Sequence, residues 1–421
     1  MKPVILFAGI FMVSTGCSFG LHAQTSHPDI TSRVDSLERR VNRIEFSLKS
    51  KENAPRTQTR SNQEKGELSG IVISDNKGVS LKIGGFVQVD AIHDLQQNKS
   101  GNGFQASGIV IPNDQKSQTL YNIGASRFNL SGSVPIHNEE LTTFIEFDMF
   151  NPAMVPVLRN AWAEYAGFGA GLYWSNFMDL DAYPNTLDYN GPNAMIFGRQ
   201  VQFRYTWSVN DHIDWATALE DPRSYIDLPL GYSPLKQFPD LTSSVEYDWG
   251  DSHIRVAGVL HPLALENQEK EREHNLGYGI SIGTLLQQTR NKDNFTLQFN
   301  YGKGIGKYIN DISSGYRYDG VYDTTTHRLQ TLPMLGLTVS YDHWWSDKMS
   351  STIGAGYLHI NNLETQNDTE LNNTRYALAN FIYYPNEFIK TGLEWMYGRR
   401  ENKDHAHAYD NRLQFTVQLM F

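Results

Sequence analysis

Arginines recur in this chain inside stretches that alternate apolar and polar residues, at Arg127, Arg159, Arg204 and Arg255. A guanidinium is planar, always charged and able to hold a carboxylate or phosphate by two parallel hydrogen bonds. Several on one surface would concentrate small anions there. The alternation assigns each to a surface, because successive side chains of a strand point to opposite faces. In Arg127-Phe128-Asn129-Leu130-Ser131, Phe128 and Leu130 share one face and Arg127 and Asn129 the other. From Val201 to Val209 the apolar face is Val201, Phe203, Tyr205, Trp207 and Val209, which leaves Gln200, Gln202 and Arg204 together. The same rule places Arg255 on the polar face of His253-Ile254-Arg255-Val256, and Arg159 is assigned there from its place before Asn160-Ala161-Trp162. Glu146 and Asp148 lie on that polar face too, between Ile145, Phe147 and Met149. The arginines can pair with such acids or form an anion-favouring constriction; the set as a whole points to the constriction.

The elements that carry these residues are strands. The last ten residues read Arg412-Leu413-Gln414-Phe415-Thr416-Val417-Gln418-Leu419-Met420-Phe421, with Leu413, Phe415, Val417, Leu419 and Phe421 on one face. Sixteen segments of this kind can be placed, at 80–94, 120–134, 139–150, 157–167, 169–177, 196–209, 211–220, 240–249, 252–261, 275–288, 293–302, 331–344, 348–360, 373–384, 387–398 and 410–421. Lengths near ten residues suit tilted membrane strands. Short connections such as Val209-Asn210-Asp211 and Trp249-Gly250-Asp251-Ser252 alternate with long ones at 95–119, 178–195, 221–239, 262–274, 303–330, 361–372 and 399–409. Membrane barrels have this asymmetry, with tight periplasmic turns and longer outer loops. The expected fold is therefore all-β, a transmembrane antiparallel barrel of about 16 strands over residues 80–421, with the polar face turned inward. Arginine on the lipid face is costly, which gives the inward assignment its energetic reason. The loop Phe177 to Ile196 is the third long one and is expected to fold into the lumen, carrying Asp179, Asp181 and Asp188.

Composition agrees. The apolar fraction is only 40%, yet the 421 residues include 21 Phe, 8 Trp and 22 Tyr. That suits a structure that turns its apolar side chains outward around a polar lumen. After the amino terminus no run of about 18 apolar residues occurs, so no spanning helix is expected. A net charge of −10 argues against nucleic acid as a partner. There is no His-Glu-x-x-His pair, and Gly-x-Ser-x-Gly occurs only at Gly16–Gly20 in the signal segment and at Gly279–Gly283 inside an alternating strand segment, neither of them an elbow between strand and helix, so an enzyme is not expected. His405 and His407 are read as loop residues in solvent, and neither a metal nor another cofactor is expected.

The amino-terminal part reads differently. Met1-Lys2 and the uncharged run Val4 to Val13 form a secretory signal peptide over residues 1–23, with Leu21-His22-Ala23 as the cleavage site. The only cysteine, Cys17, follows Ser14-Thr15-Gly16, a poor lipidation site, and is expected to leave with the signal. Ile30, Val34, Leu37, Val41, Ile44 and Leu48 step by four and three, a heptad seam of under three repeats. So short a coil is marginal alone, and residues 24–50 are read as a short periplasmic coiled-coil helix supported by a barrel oligomer. The polar, aperiodic chain that follows gives a linker over 51–79.

In order along the chain, Leu81-Lys82-Ile83-Gly84-Gly85-Phe86-Val87-Gln88-Val89-Asp90-Ala91, Ile145-Glu146-Phe147-Asp148, Leu158-Arg159-Asn160-Ala161 and Trp174-Ser175-Asn176-Phe177-Met178-Asp179 resemble the DcaP-like trimeric porins of Gram-negative outer membranes. So do Pro184-Asn185-Thr186-Leu187-Asp188-Tyr189-Asn190-Gly191-Pro192, Tyr397-Gly398-Arg399-Arg400-Glu401-Asn402 and Asn411-Arg412-Leu413-Gln414. The resemblance implies a homotrimer of sixteen-stranded barrels in outer-membrane lipid and lipopolysaccharide, with a periplasmic amino terminus. It implies diffusion of small anionic, dicarboxylate-like solutes past an arginine-containing constriction. The terminal Phe421 resembles the signal read by the barrel assembly machinery. Tyr173 stands before Trp174-Ser175 where the family has a Gln-Thr pair, and the loop after Gly302 is long. The alternative reading is a surface-binding or structural barrel that uses loops 303–330 and 361–372.

Overall fold

The structure, a computed structural model, describes residues 70–74, 78–114, 116–151, 153–288, 292–315 and 317–421. The signal-peptide and coiled-coil readings lie outside these residues.

One closed antiparallel barrel of 16 strands dominates. In chain order the strands are β1 (Gly70–Ser74), β2 (Ser80–Asp94), β3 (Gln118–Asn122), β4 (Arg127–Ile136), β5 (Glu139–Asp148), β6 (Val157–Tyr165), β7 (Phe168–Trp174) and β8 (Arg199–Asn210). There follow β9 (Ile213–Glu220), β10 (Ile226–Asp227), β11 (Ser233–Pro234), β12 (Asp240–Trp249), β13 (Ser252–Glu266), β14 (Arg272–Gln287), β15 (Asn294–Lys303), β16 (Gly320–Asp323) and β17 (Arg328–Thr331). The last are β18 (Pro333–Ser346), β19 (Met349–Ile360), β20 (Leu371–Asn386), β21 (Ile389–Asn402) and β22 (His407–Met420). Both β3 and β4 pair with β2 and make up the second wall strand. β22 returns to β2, with Phe86 opposite Met420 and Asp94 opposite Arg412. Closure removes the open edges a sheet would otherwise expose. β10, β16 and β17 form a small separate sheet within the long loops.

The alternation determines which face is which. Val87, Val89, Phe128, Phe203, Phe415 and Leu419 are exposed on the outside, while Gln88, Asp90, Asn129, Gln202, Gln414 and Gln418 are buried within. Such a lumen is stable only if its polar groups pair with one another. Asp90, for example, accepts hydrogen bonds from Gln88 (3.0 Å) and Thr416 (2.6 Å). Among the described residues no helix is long and apolar enough to cross a membrane.

Four expectations shift. The loops expected at 262–274 and 399–409 contract to residues 267–271 and 403–406, because β13, β14, β21 and β22 run further. Glu266, Arg272, Arg400 and Asn402 are strand residues there. Above the lipid nothing favours an apolar outer face, so the alternation that marks a membrane strand fades. The second wall strand breaks over 123–126, at Gly124. Part of the linker, Gly70–Ser74, is a strand, formed by the β-branched run Ile71-Val72-Ile73 paired to the start of β2. Around β7 the alternation blurs because two inward positions are glycines. A side chain at Gly169 would collide with the Trp162 ring, and one at Gly171, where φ is +131°, would meet the Ala161 carbonyl.

Candidate functional site

Three long loops enter the lumen. The loop between β7 and β8, residues 175–198, lies almost wholly buried, as the sequence suggests. Glu394 of β21 accepts the backbone N–H groups of Leu187 (2.8 Å) and Asp188 (3.2 Å). Lys390 Nζ donates to Thr186 O at 3.2 Å, and Glu220 receives Ser175 Oγ and Asn176 N, each at 2.8 Å. The second loop is 304–332, which sequence reasoning left to the surface. Its Ile305, Tyr308, Ile309 and Ile312 are buried against Phe177, Met195 and Ile196 of the first. Phe197 N donates to Tyr308 O (2.8 Å) and Asn310 N to Met195 O (2.9 Å). Apolar Ile305, Ile309 and Ile312 were the available signal, obscured by Tyr, Asp and Thr further along the loop. A third loop joins them, Phe104 N donating to Asp188 Oδ1 at 2.9 Å. Burial raises the Asp188 carboxyl above its usual range, opposed by Arg412 and by three backbone N–H groups. Burial, with Glu220 and Asp240 alongside, lifts the Tyr308 hydroxyl well above its own.

Among the described residues two chambers stand out in the lumen, and Trp174 lines both. The chamber at the long-loop end has a volume of about 460 Å³, and its walls include Arg199, Arg223, Lys307, Tyr189 and Asn310. Among the described residues no acidic side chain lines it. Lys307 and Arg223 lean on acids behind that wall, Lys307 Nζ lying 2.7 Å from Asp240 and Arg223 Nε 2.9 Å from Asp221. Arg199 spans Trp174, its guanidinium 5.3 Å from the ring centroid, and donates to Arg159 O at 3.2 Å. The chamber at the short-turn end, about 480 Å³, is bordered by Arg204, Arg255, Glu164, Glu246 and Asp181.

The four arginines thus fall into two groups. Arg204 and Arg255 face the second chamber. Arg204 Nη2 donates to Gln202 Oε1 at 2.8 Å and to the Trp174 carbonyl. Arg255 pairs with Glu246 (2.8 Å) and reaches Ser244 Oγ (2.8 Å) and Asn176 O (3.2 Å). Arg159 lies fully buried between Glu146 (2.8 Å) and Asp148 (2.9 Å), touching the Tyr189 hydroxyl and flanked by the Trp174 ring. Arg127, also buried, stands opposite Asp148 across the β4–β5 pair and over the Phe86 ring. Arg199 was missed because parity with Val201 places it outside. It is the first residue of β8, where the chain leaves the ladder.

A closed barrel with an apolar exterior, polar interior and inserted loops defines an outer-membrane channel of the porin class, in the envelope of a Gram-negative bacterium. The chain belongs to the DcaP outer membrane protein family, whose match spans residues 37–417. The outer-membrane channel DcaP of Acinetobacter baumannii superposes with a TM-score of 0.72 at 18% identity, covering 84% of this chain and 100% of that one. An anion-selective porin from Comamonas acidovorans gives 0.57 at 9% identity, covering 82% and 100%. OmpF of Salmonella typhi gives 0.54 at 11%, covering 83% and 100%. No curated protein sequence matches the chain.

Proposed function

We propose that this channel passes small hydrophilic anions, dicarboxylate-like in size and charge, by passive diffusion through a constriction bordered by arginine. The observation that carries this reading is the outer chamber, walled by Arg199, Arg223 and Lys307 with no acidic side chain among the described residues of its lining. Lined by one sign of charge, a narrow low-dielectric cleft concentrates ions of the other. Arg204 and Arg255 border the chamber beyond Trp174, where they balance Glu164, Glu246 and Asp181, with Arg127 and Arg159 holding the wall behind it. Loop 304–332, which a surface-binding barrel would present outward, is drawn into the lumen, and this favours the channel reading. The test is single-channel current of the purified protein in a planar bilayer under a salt gradient. An anion-favouring reversal potential with three equal closing steps is expected; absence of conductance would reject the reading.

The functional unit in this reading is a homotrimer set in outer-membrane lipid and lipopolysaccharide, assembled through recognition of Phe421 and steadied by the heptads of residues 30–48. A trimer form is described for OmpT of Vibrio cholerae, a barrel of similar fold. Deleting residues 30–48 should lower the temperature at which trimers dissociate on a gel while heat-modifiable barrels persist. Trimers equally resistant without the segment would remove its role.

A further inference from the structure

Below the end of the last strand the barrel wall continues as an apron. Phe421 lies level with Gly85, joined to it by backbone hydrogen bonds of 3.1 and 3.3 Å. From Gly84 towards the short-turn end, β1 takes over the column that β22 vacates, pairing Gly70 with Gly84, Ile71 with Ile83 and Ile73 with Leu81. β2 there pairs with β4, which descends to Ile136 and returns as β5.

The outward face of this apron is apolar. By parity with Leu81 and Ile83, Ile71 and Ile73 point outward, at 67% and 57% exposure. Val134 is exposed on the same face of β4, opposite Leu141 on β5. Within the lipid such a face is ordinary. Here Ile71 and Ile73 lie two and four residues past the terminal Phe421, roughly 7 and 13 Å further along the strand direction. Phe388, in the neighbouring short turn, is bonded back to Met420 and exposed beside Phe421. Aromatic residues of this kind mark the membrane–water interface, so the apron projects into the aqueous periplasm, where an exposed apolar strip needs protein cover.

We infer that the apron is an interface between copies of this chain: Ile71 and Ile73 of one protomer pack on the Val134–Leu141 face of the next. The inference rests on the homotrimeric reading above. In a threefold ring each protomer offers two different faces, about 60° apart around its own axis. Ile73 and Leu141 stand three columns apart in a wall of 16 strands, which is about 68° of turn. Both lie on the short-turn side of Phe421, so the two faces meet at similar depth.

The test is a pair of cysteines, Ile73→Cys with Leu141→Cys, in the mature chain, which has no cysteine once residues 1–23 are removed. Within one protomer the two positions are roughly 14 Å apart across three strands, beyond disulfide reach. Mild oxidation of outer membranes should give covalent dimers and trimers on a denaturing non-reducing gel. Each single variant, and the control pair Ile73→Cys with Ile280→Cys, should stay monomeric on that gel. A trimer by native mass that yields no ladder would overturn the apron contact and leave the trimer standing. A monomer by native mass would overturn both.

Discussion

Replacing Arg204 and Arg255 together by Ser is expected to lower the anion-to-cation permeability ratio roughly tenfold, read as a shift of reversal potential under a salt gradient. Both guanidiniums border the inner chamber with Glu164, Glu246 and Asp181. Removing them leaves three carboxylates facing the solute, so the local field changes from nearly balanced to strongly negative. A unit charge acts on an ion about 6 Å away with roughly 0.7 kcal/mol in a water-like medium, which salt screens to about half; because it attracts anions and repels cations alike, the ratio changes by a factor of about three for each arginine. Two such factors multiply to about ten. Because Arg255 also pairs with Glu246 and reaches Asn176, the paired Lys substitutions separate field from geometry. Lys keeps the charge and loses the two-pronged grip. Selectivity that survives in the Lys variant and falls in the Ser variant identifies a field effect. A reversal potential unmoved by the Ser pair would take both residues out of the filter, leaving the outer chamber with Arg199 as the selective element.

How far the sequence reaches can be judged residue by residue. Val201, Phe203 and Tyr205 against Gln200, Gln202 and Arg204 placed one wall correctly because lipid on one side and polar lumen on the other impose opposite demands every second residue. Where that contrast ends, the reading weakens. Glu266 and Arg272 belong to strands above the lipid yet look like loop. Arg199 ends a ladder and turns inward against parity. Ile305, Tyr308 and Ile309 enter the lumen on the strength of Met195 and Ile196, residues more than a hundred positions away, and no local pattern announces such a partner. The four arginines were legible as inward residues. Their division between a chamber wall and a buried ion-pair core was not, because it depends on where Trp174 and Tyr189 stand.

Glu394→Ala should loosen the inserted loop, raising single-channel conductance on the order of twofold and adding open-channel noise, with the barrel intact. Glu394 is buried and accepts three hydrogen bonds, from Leu187 N (2.8 Å), Asp188 N (3.2 Å) and Asn380 Nδ2 (2.9 Å). Truncation strands two backbone N–H groups inside the wall, each costing about 1–3 kcal/mol. The loosening is expected around Leu187 and Asp188, because Asn185 stays bonded to Thr352 and Asn380 and 195–197 stay tied to the 304–332 loop through Tyr308 and Asn310. The wall itself keeps its ladder, since β21 pairs without interruption with β22 and, from Asn373 to Tyr383, with β20, none of it through this side chain. Glu394→Gln retains one acceptor oxygen but turns an amide N–H₂ on its neighbours, so it should fall between wild type and Ala. Lys390→Met removes the contacts to Thr186 and Asn185 from the same strand and should shift conductance in the same direction. If Glu394→Ala conducts as quietly and at the same level as wild type, the loop is held by its partners within the lumen. The wall would then act as a support that the constriction does not need.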